Sequence, residues 1–179
     1  MRSLDDLQQE MQTAYLDGAP GMLVSALVWL AAGIVVTRAG MNAAVWTLLI
    51  GGALIHPVTV LALKVLGKSA RVSKGSPLTQ LAMATTAWLI AGCVLSYGLY
   101  TANAAWFFPA MLLVIGSRYL AFQTLFGHRI YWICGAALIG AGYLGASVPL
   151  GPAMLAFAGS GIEAAFAAIL LLKNKRAPV

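Results

Sequence analysis

Residues 104–126 read AAWFFPAMLLVIGSRYLAFQTLF, and Arg118 is the only charged side chain among them. At the 1.5 Å rise of an α-helix such a stretch is roughly 34 Å long, enough to cross the ~30 Å hydrocarbon core of a bilayer. Lipid offers the backbone no hydrogen-bond partners, so a segment of this kind is stable only as a helix that bonds its own N–H and C=O groups. Working outward from it, apolar runs of similar length recur at 20–36, 43–65, 78–100, 130–148 and 149–172. Of 179 residues, 61% are hydrophobic and 9% charged, whereas a soluble domain carries about 25% charged residues. The fold class expected is an all-α membrane protein, a bundle of six transmembrane helices preceded by a short amphipathic N-terminal helix. Three regions follow: a cytoplasmic amphipathic helix at 1–18, the transmembrane domain at 19–172 and a basic cytoplasmic tail at 173–179.

In the opening segment Leu4, Leu7, Met11, Ala14 and Tyr15 recur at helical spacing. Ser3 is suited to cap that helix, and Asp5 and Asp6 to its positive end. Its acidic face is the wrong sign for anionic lipid, so docking against the protein's own basic loop is expected. These first residues lack the basic stretch of a cleavable leader, which leaves the first span as the insertion signal. Counting cations sets the orientation. With the N-terminus inside, Arg2, Lys64, Lys68, Arg71, Lys74, Arg129, Lys173, Lys175 and Arg176 are cytoplasmic, and Arg38 alone is outside. Both termini are therefore expected in the cytoplasm. The net charge of +6 is explained by these topology determinants beside lipid headgroups, and no nucleic acid is expected as a partner. Cys93 and Cys134 fall at different depths and read as packing residues without a disulfide.

Ionisable groups at bilayer depth cost roughly 2.5–3.5 kcal/mol each on insertion scales, so each calls for a partner or a role. His56, Arg118 and Glu163 lie on the second, fourth and sixth spans. All three sit about 12–14 Å from the cytoplasmic end at 1.5 Å per residue. Thr85, Thr86 and Trp29 come out at a similar height. The expected arrangement points this layer into the bundle, with Arg118 and Glu163 paired and His56, Ser117, Tyr119, Ser160 and Thr85 or Thr86 as hydrogen-bond partners. The ligand-binding residues expected are His56, Arg118, Glu163, Tyr119, Ser160 and Thr85. In that layer Arg118 would hold an anionic or carbonyl group, Glu163 would balance it or exchange a proton, and His56 would titrate near neutral pH. Pro57 beside His56, and Pro109 ahead of residues 116–119, are expected to bend their helices around a cavity.

Residues 52–57 (GALIHP), 106–109 (WFFP) and 116–119 (GSRY) resemble those of a family of small uncharacterised bacterial multispan integral membrane proteins. The resemblance implies a bacterial inner-membrane protein and supplies no activity or catalytic residue.

Three functional readings stand. The first is binding or transport of a small solute through a cytoplasm-facing polar cavity. The second is a structural or regulatory membrane subunit without transport. The third, an intramembrane enzyme acting on a lipid, has the least support. Residues 158–161 (AGSG) look slightly like the serine motif of rhomboid proteases, but the first glycine is replaced and the buried histidine precedes the serine. No carboxylate or cysteine stands at a ligand spacing from His56 or His128, so no metal and no cofactor is expected. The partners expected are membrane lipids, a small-molecule solute and a second copy of the chain in a homodimer.

Overall fold

The computed structural model describes residues 2–68, 72–73 and 75–176, with side chains described as far as Lys173. The chain opens as α1 (Leu4–Tyr15), and its start is set by a capping box. The Ser3 hydroxyl accepts from the Asp6 N–H at 3.1 Å, while the Asp6 carboxylate accepts from the Ser3 N–H at 3.0 Å. The helix ends where Leu16, Asp17 and Gly18 take φ values of 49°, 54° and 76°. Two of these three are not glycine, and left-handed backbone there is unfavourable for an L-residue unless its surroundings hold it. Tyr131 and His128 hold it: the Tyr131 hydroxyl donates to the Asp17 carbonyl, and His128 Nε2 lies 2.9 Å from an Asp17 carboxylate oxygen.

Past that bend run α2 (Ala19–Ala39), α3 (Met41–Val65), α4 (Pro77–Ala102), α5 (Phe107–Phe126), α6 (Ile130–Ser147) and α7 (Pro152–Arg176). All six are long and apolar enough to cross a membrane, and among the described residues there is no strand. The chain is an all-α, multi-pass membrane protein, as its hydropathy requires. Two details differ from the sequence reading. Pro109 falls in the first turn of α5, where a missing N–H deprives the helix of nothing, so it starts this helix instead of bending it. Residues 148–151 form the link between the last two spans, and α7 starts at Pro152.

The helices pack as an arc in which α3 lies on α2, α2 on α7, α7 on α6, α6 on α5, and α5 on α4. Its open ends, α3 and α4, meet through the rings of Trp46 and Tyr97, whose centroids are 5.7 Å apart. The α5–α6 seam is made backbone to backbone. A Cβ on Gly116 would stand 2.8 Å from the Gly135 carbonyl oxygen, and one on Gly135 would stand 2.7 Å from that of Gly116. Small residues allow this approach, and in lipid, packing holds helices together where hydrophobicity cannot.

α1 docks across the α1 end of the bundle. Gln8 and Gln12 donate through their Nε2 atoms to the carbonyls of Thr124 and Phe126, at 2.8 and 2.7 Å, in the last turn of α5. Those carbonyls have no partner within their own helix. Glu10 accepts from the Ser73 N–H and hydroxyl at 2.8 and 2.6 Å, and pairs with Arg2 at 2.9 Å. The expected docking on the protein's own loop is therefore seen, carried by neutral donors of Ser73. Arg71 and Lys74 lie outside the described residues.

Two outcomes are expected. Gly135→Ala lowers stability by about 1–3 kcal/mol, the range for overpacking a filled contact. Gly140→Ala meets open space and gains about 0.5–1 kcal/mol from helix propensity; thermal unfolding in detergent separates the two. The Ser73 hydroxyl, its N–H and then Arg2 hold the Glu10 carboxyl below its ordinary value of 4.5. Its contribution to docking is thus complete above that value and lost as pH falls through the lowered folded value. Protection factors from hydrogen exchange, taken between about pH 6 and about pH 3, should show α1 loosening at the acid end. The pH step should vanish in Glu10→Gln.

Candidate functional site

The predicted polar layer is divided by α5. Arg118 turns toward α4, where its Nη2 lies 3.4 Å from the Thr86 hydroxyl and its guanidinium carbon 5.1 Å from the Phe122 ring centroid. Its Nε is buried without a hydrogen-bond partner. Together with Ala84, Thr85, Trp88, Ser117 and Ala121 it lines an open groove of about 340 Å³ between the two helices. The other polar groups in this groove are already engaged. Trp88 Nε1 donates to Ser117 Oγ at 3.0 Å, Ser117 Oγ to the Val114 carbonyl at 2.8 Å, and Thr85 Oγ1 to the Ala82 carbonyl at 2.9 Å. A guanidinium has five N–H donors in a planar fork, and here one of them makes a single long contact. The groove's unsatisfied hydrogen-bonding capacity is therefore cationic.

On the opposite side of α5 the groups face the interior. Glu163 of α7 is 0% exposed, and Ser25, Tyr119 and Ser160 are buried around that level. Ser160 donates to the Ala26 carbonyl at 2.9 Å, tying α7 to α2. The hydroxyls of Ser25 and Tyr119 and the charge of Arg118 bear on the Glu163 carboxyl. Neither carboxyl oxygen reaches a partner in hydrogen-bonding geometry, and Trp29 Nε1 is buried and unpartnered as well.

The expected Arg118–Glu163 ion pair is not formed. Among the described residues the ion pairs are Arg2–Glu10 and Asp17–His128. Successive residues of a helix diverge by about 100°, so Arg118 and Tyr119 share a depth yet look to different neighbours. His56 stands apart from both groups, exposed on α3 and without a hydrogen bond among the described residues. The six predicted residues thus separate into Arg118 and Thr85 at the groove, Glu163, Tyr119 and Ser160 in the interior, and His56 alone. They do not line one common cavity facing the cytoplasm.

Sequence reasoning passed over a second polar cluster at the α1 end. There His128 bridges Asp17 at 2.9 Å and Lys173 at 3.5 Å, the latter through Nδ1. Asp17 at a chain reversal and His128 after Gly127, which has φ 68°, were the available signal. Their geometry ties the α1–α2 bend, the α5–α6 turn and the end of α7, which is a holding role. A wider groove of about 680 Å³ beside α1 is lined by Arg2, Asp6, Gln9, Glu10, Thr13 and Lys68 among others. Arg2 and Glu10 pair there with each other, and the groove contains none of the predicted residues. Among the described residues no three His, Cys, Asp or Glu gather as metal ligands would.

Residues 4–173 match the profile of a family of unknown function, DUF7010. No curated protein and no solved structure matches the chain.

Proposed function

We propose, for a chain that belongs to the DUF7010 family of unknown function, that it binds the acidic head of a small amphiphilic solute in the groove between α4 and α5. The observation that carries this reading is Arg118. It is a cation at bilayer depth with no carboxylate partner among the described residues, standing in an open groove of about 340 Å³. An unpaired guanidinium within a membrane protein favours an anion that can accept its planar N–H fork. Thr85 and the Trp88–Ser117 pair shape the polar part of the groove, while Ala84, Ala121 and the Trp88 ring supply apolar walls. The solute's tail would lie along the exposed face of α4, where Met83, Trp88 and Ile90 are more than half exposed. In this reading the protein sits in a bacterial inner membrane with its α1 end in the cytoplasm, because the cations of the chain concentrate there. Transfer of the solute across or within the bilayer is the activity that such a side-opening site would serve.

A long-chain fatty acid and the corresponding fatty alcohol make a direct test on the protein in uncharged detergent. At a concentration of about 100 times Kd, a ligand adds about 2.7 kcal/mol of stability. That amounts to several degrees of melting temperature for a chain of this size. The acid should raise the melting temperature and the alcohol should not, and Arg118→Gln should abolish the difference. Equal shifts from acid and alcohol, or an unchanged response in Arg118→Gln, would overturn the reading.

A further inference from the structure

The interior carboxyl has no task in the binding reading, and its position gives it one. Glu163 and Arg118 lie on opposite sides of the same helix, at one level, and neither has a counter-charge in contact. We propose that Glu163 is a proton-binding counter-charge to Arg118, so that occupancy of the groove by an anion and protonation of Glu163 favour each other. This rests on the binding reading above.

With the groove empty, an ionised Glu163 partly offsets the Arg118 cation across the width of α5, roughly 10 Å. At the effective dielectric of a protein interior, ~20, that attraction changes an equilibrium by about tenfold. An anion seated on the guanidinium cancels the cation, and the carboxylate then loses that support while desolvation continues to disfavour its charge. Protonation of Glu163 restores neutrality, since one negative charge enters the groove and one proton enters the interior. Other groups do not take this part. The titratable side chains bearing on Glu163 are Tyr119 of α5 and Cys134 of α6, besides Arg118 itself, and α2 contributes the hydroxyl of Ser25. Phenols and thiols ordinarily titrate above neutrality, so below it the carboxyl is the one group of this set that changes charge.

The sign follows from linkage. Because the anion-bound protein holds the Glu163 proton more tightly than the free protein does, binding takes up protons and affinity rises as pH falls. A coupling of about tenfold gives a total gain in affinity of about tenfold between the alkaline and acid limits. At the midpoint it gives an uptake of about half a proton per anion.

The test uses an alkyl sulfonate, ionised throughout the pH range, binding to the full chain in uncharged detergent. Affinity is measured against pH, and proton uptake by calorimetry in two buffers of different ionisation enthalpy. The wild-type protein should show the rise in affinity and the uptake, while Glu163→Gln should bind at every pH as the wild type does at low pH, with no uptake. Binding that depends on Arg118 but is independent of pH and free of proton uptake would overturn the coupling and leave the binding reading standing. The same holds if the pH dependence persists in Glu163→Gln. Binding that does not require Arg118 would overturn both. Should Glu163→Gln fail to fold, proton uptake by the wild-type protein decides the matter alone.

Discussion

The contact between Gly116 and Gly135 sets the rotation of α5, and with it the division of the polar residues. Both glycines present backbone to the partner helix at a distance that no side chain would permit. With Gly116 facing α6, each following residue turns by about 100°. Ser117 and Arg118 therefore swing away toward α4, and Tyr119 comes back to within about 60° of α6. There its ring stacks on Tyr131, with centroids 6.1 Å apart and planes 17° from parallel. One tight seam thus sends the phenol toward the interior carboxyl and the guanidinium toward the groove. A larger residue at either glycine would change both at once.

The two ends of the bundle are held by different chemistry. Away from α1, a run of aromatic rings connects α3, α4, α5 and α2 through Trp46, Tyr97, Tyr100, Phe107, Phe108 and Trp29, each ring within about 6 Å of the next. Tilted and edge-on ring pairs add attraction beyond the area they bury. At the α1 end, hydrogen bonds and charges dominate instead: Gln8 and Gln12 on the end of α5, and Asp17 with His128 and Lys173. Between these ends α4 has one extensive neighbour, α5, and is among the least buried of the six long helices. Segments with few buried contacts open at the lowest free energy. The groove lies on the side of α5 where the packing can most readily yield.

Hydropathy and charge placed all six helices and their ends to within a few residues, because a membrane span has to be long, apolar and helical whatever its neighbours are. Ser3 as a cap was legible for a similar reason, since a capping box is local chemistry. The Leu16–Asp17–Gly18 bend was not, because its left-handed backbone is imposed by Tyr131 and His128, more than a hundred residues away. Depth could be counted along each span, and it brought Arg118, Tyr119 and Glu163 to one level. Facing could not, because counting residues from a helix end yields height without rotation. Hence the count could not foresee that Arg118 and Glu163 form no ion pair or that His56 is exposed. Nor does the spacing of glycines along either helix identify Gly116 and Gly135 as partners across two helices.

A purely architectural account of the charged residues meets a difficulty in this geometry. Buried ionic groups that serve to register helices do so by contact, with each charge satisfied by its partner. Here the link at that level between α7 and α2 is made by Ser160 and the Ala26 carbonyl, at 2.9 Å and without charge. Arg118 touches Thr86 and Phe122, and the Glu163 carboxyl, with the hydroxyls of Ser25 and Tyr119 bearing on it, meets none of its neighbours in hydrogen-bonding geometry. Replacing either by an apolar residue of similar volume would take no ion-pair contact away from the fold and would remove a desolvation penalty from it. Among the described residues neither charge is held in an ion pair by the packing, and the two stand on different sides of the most buried of the six long helices.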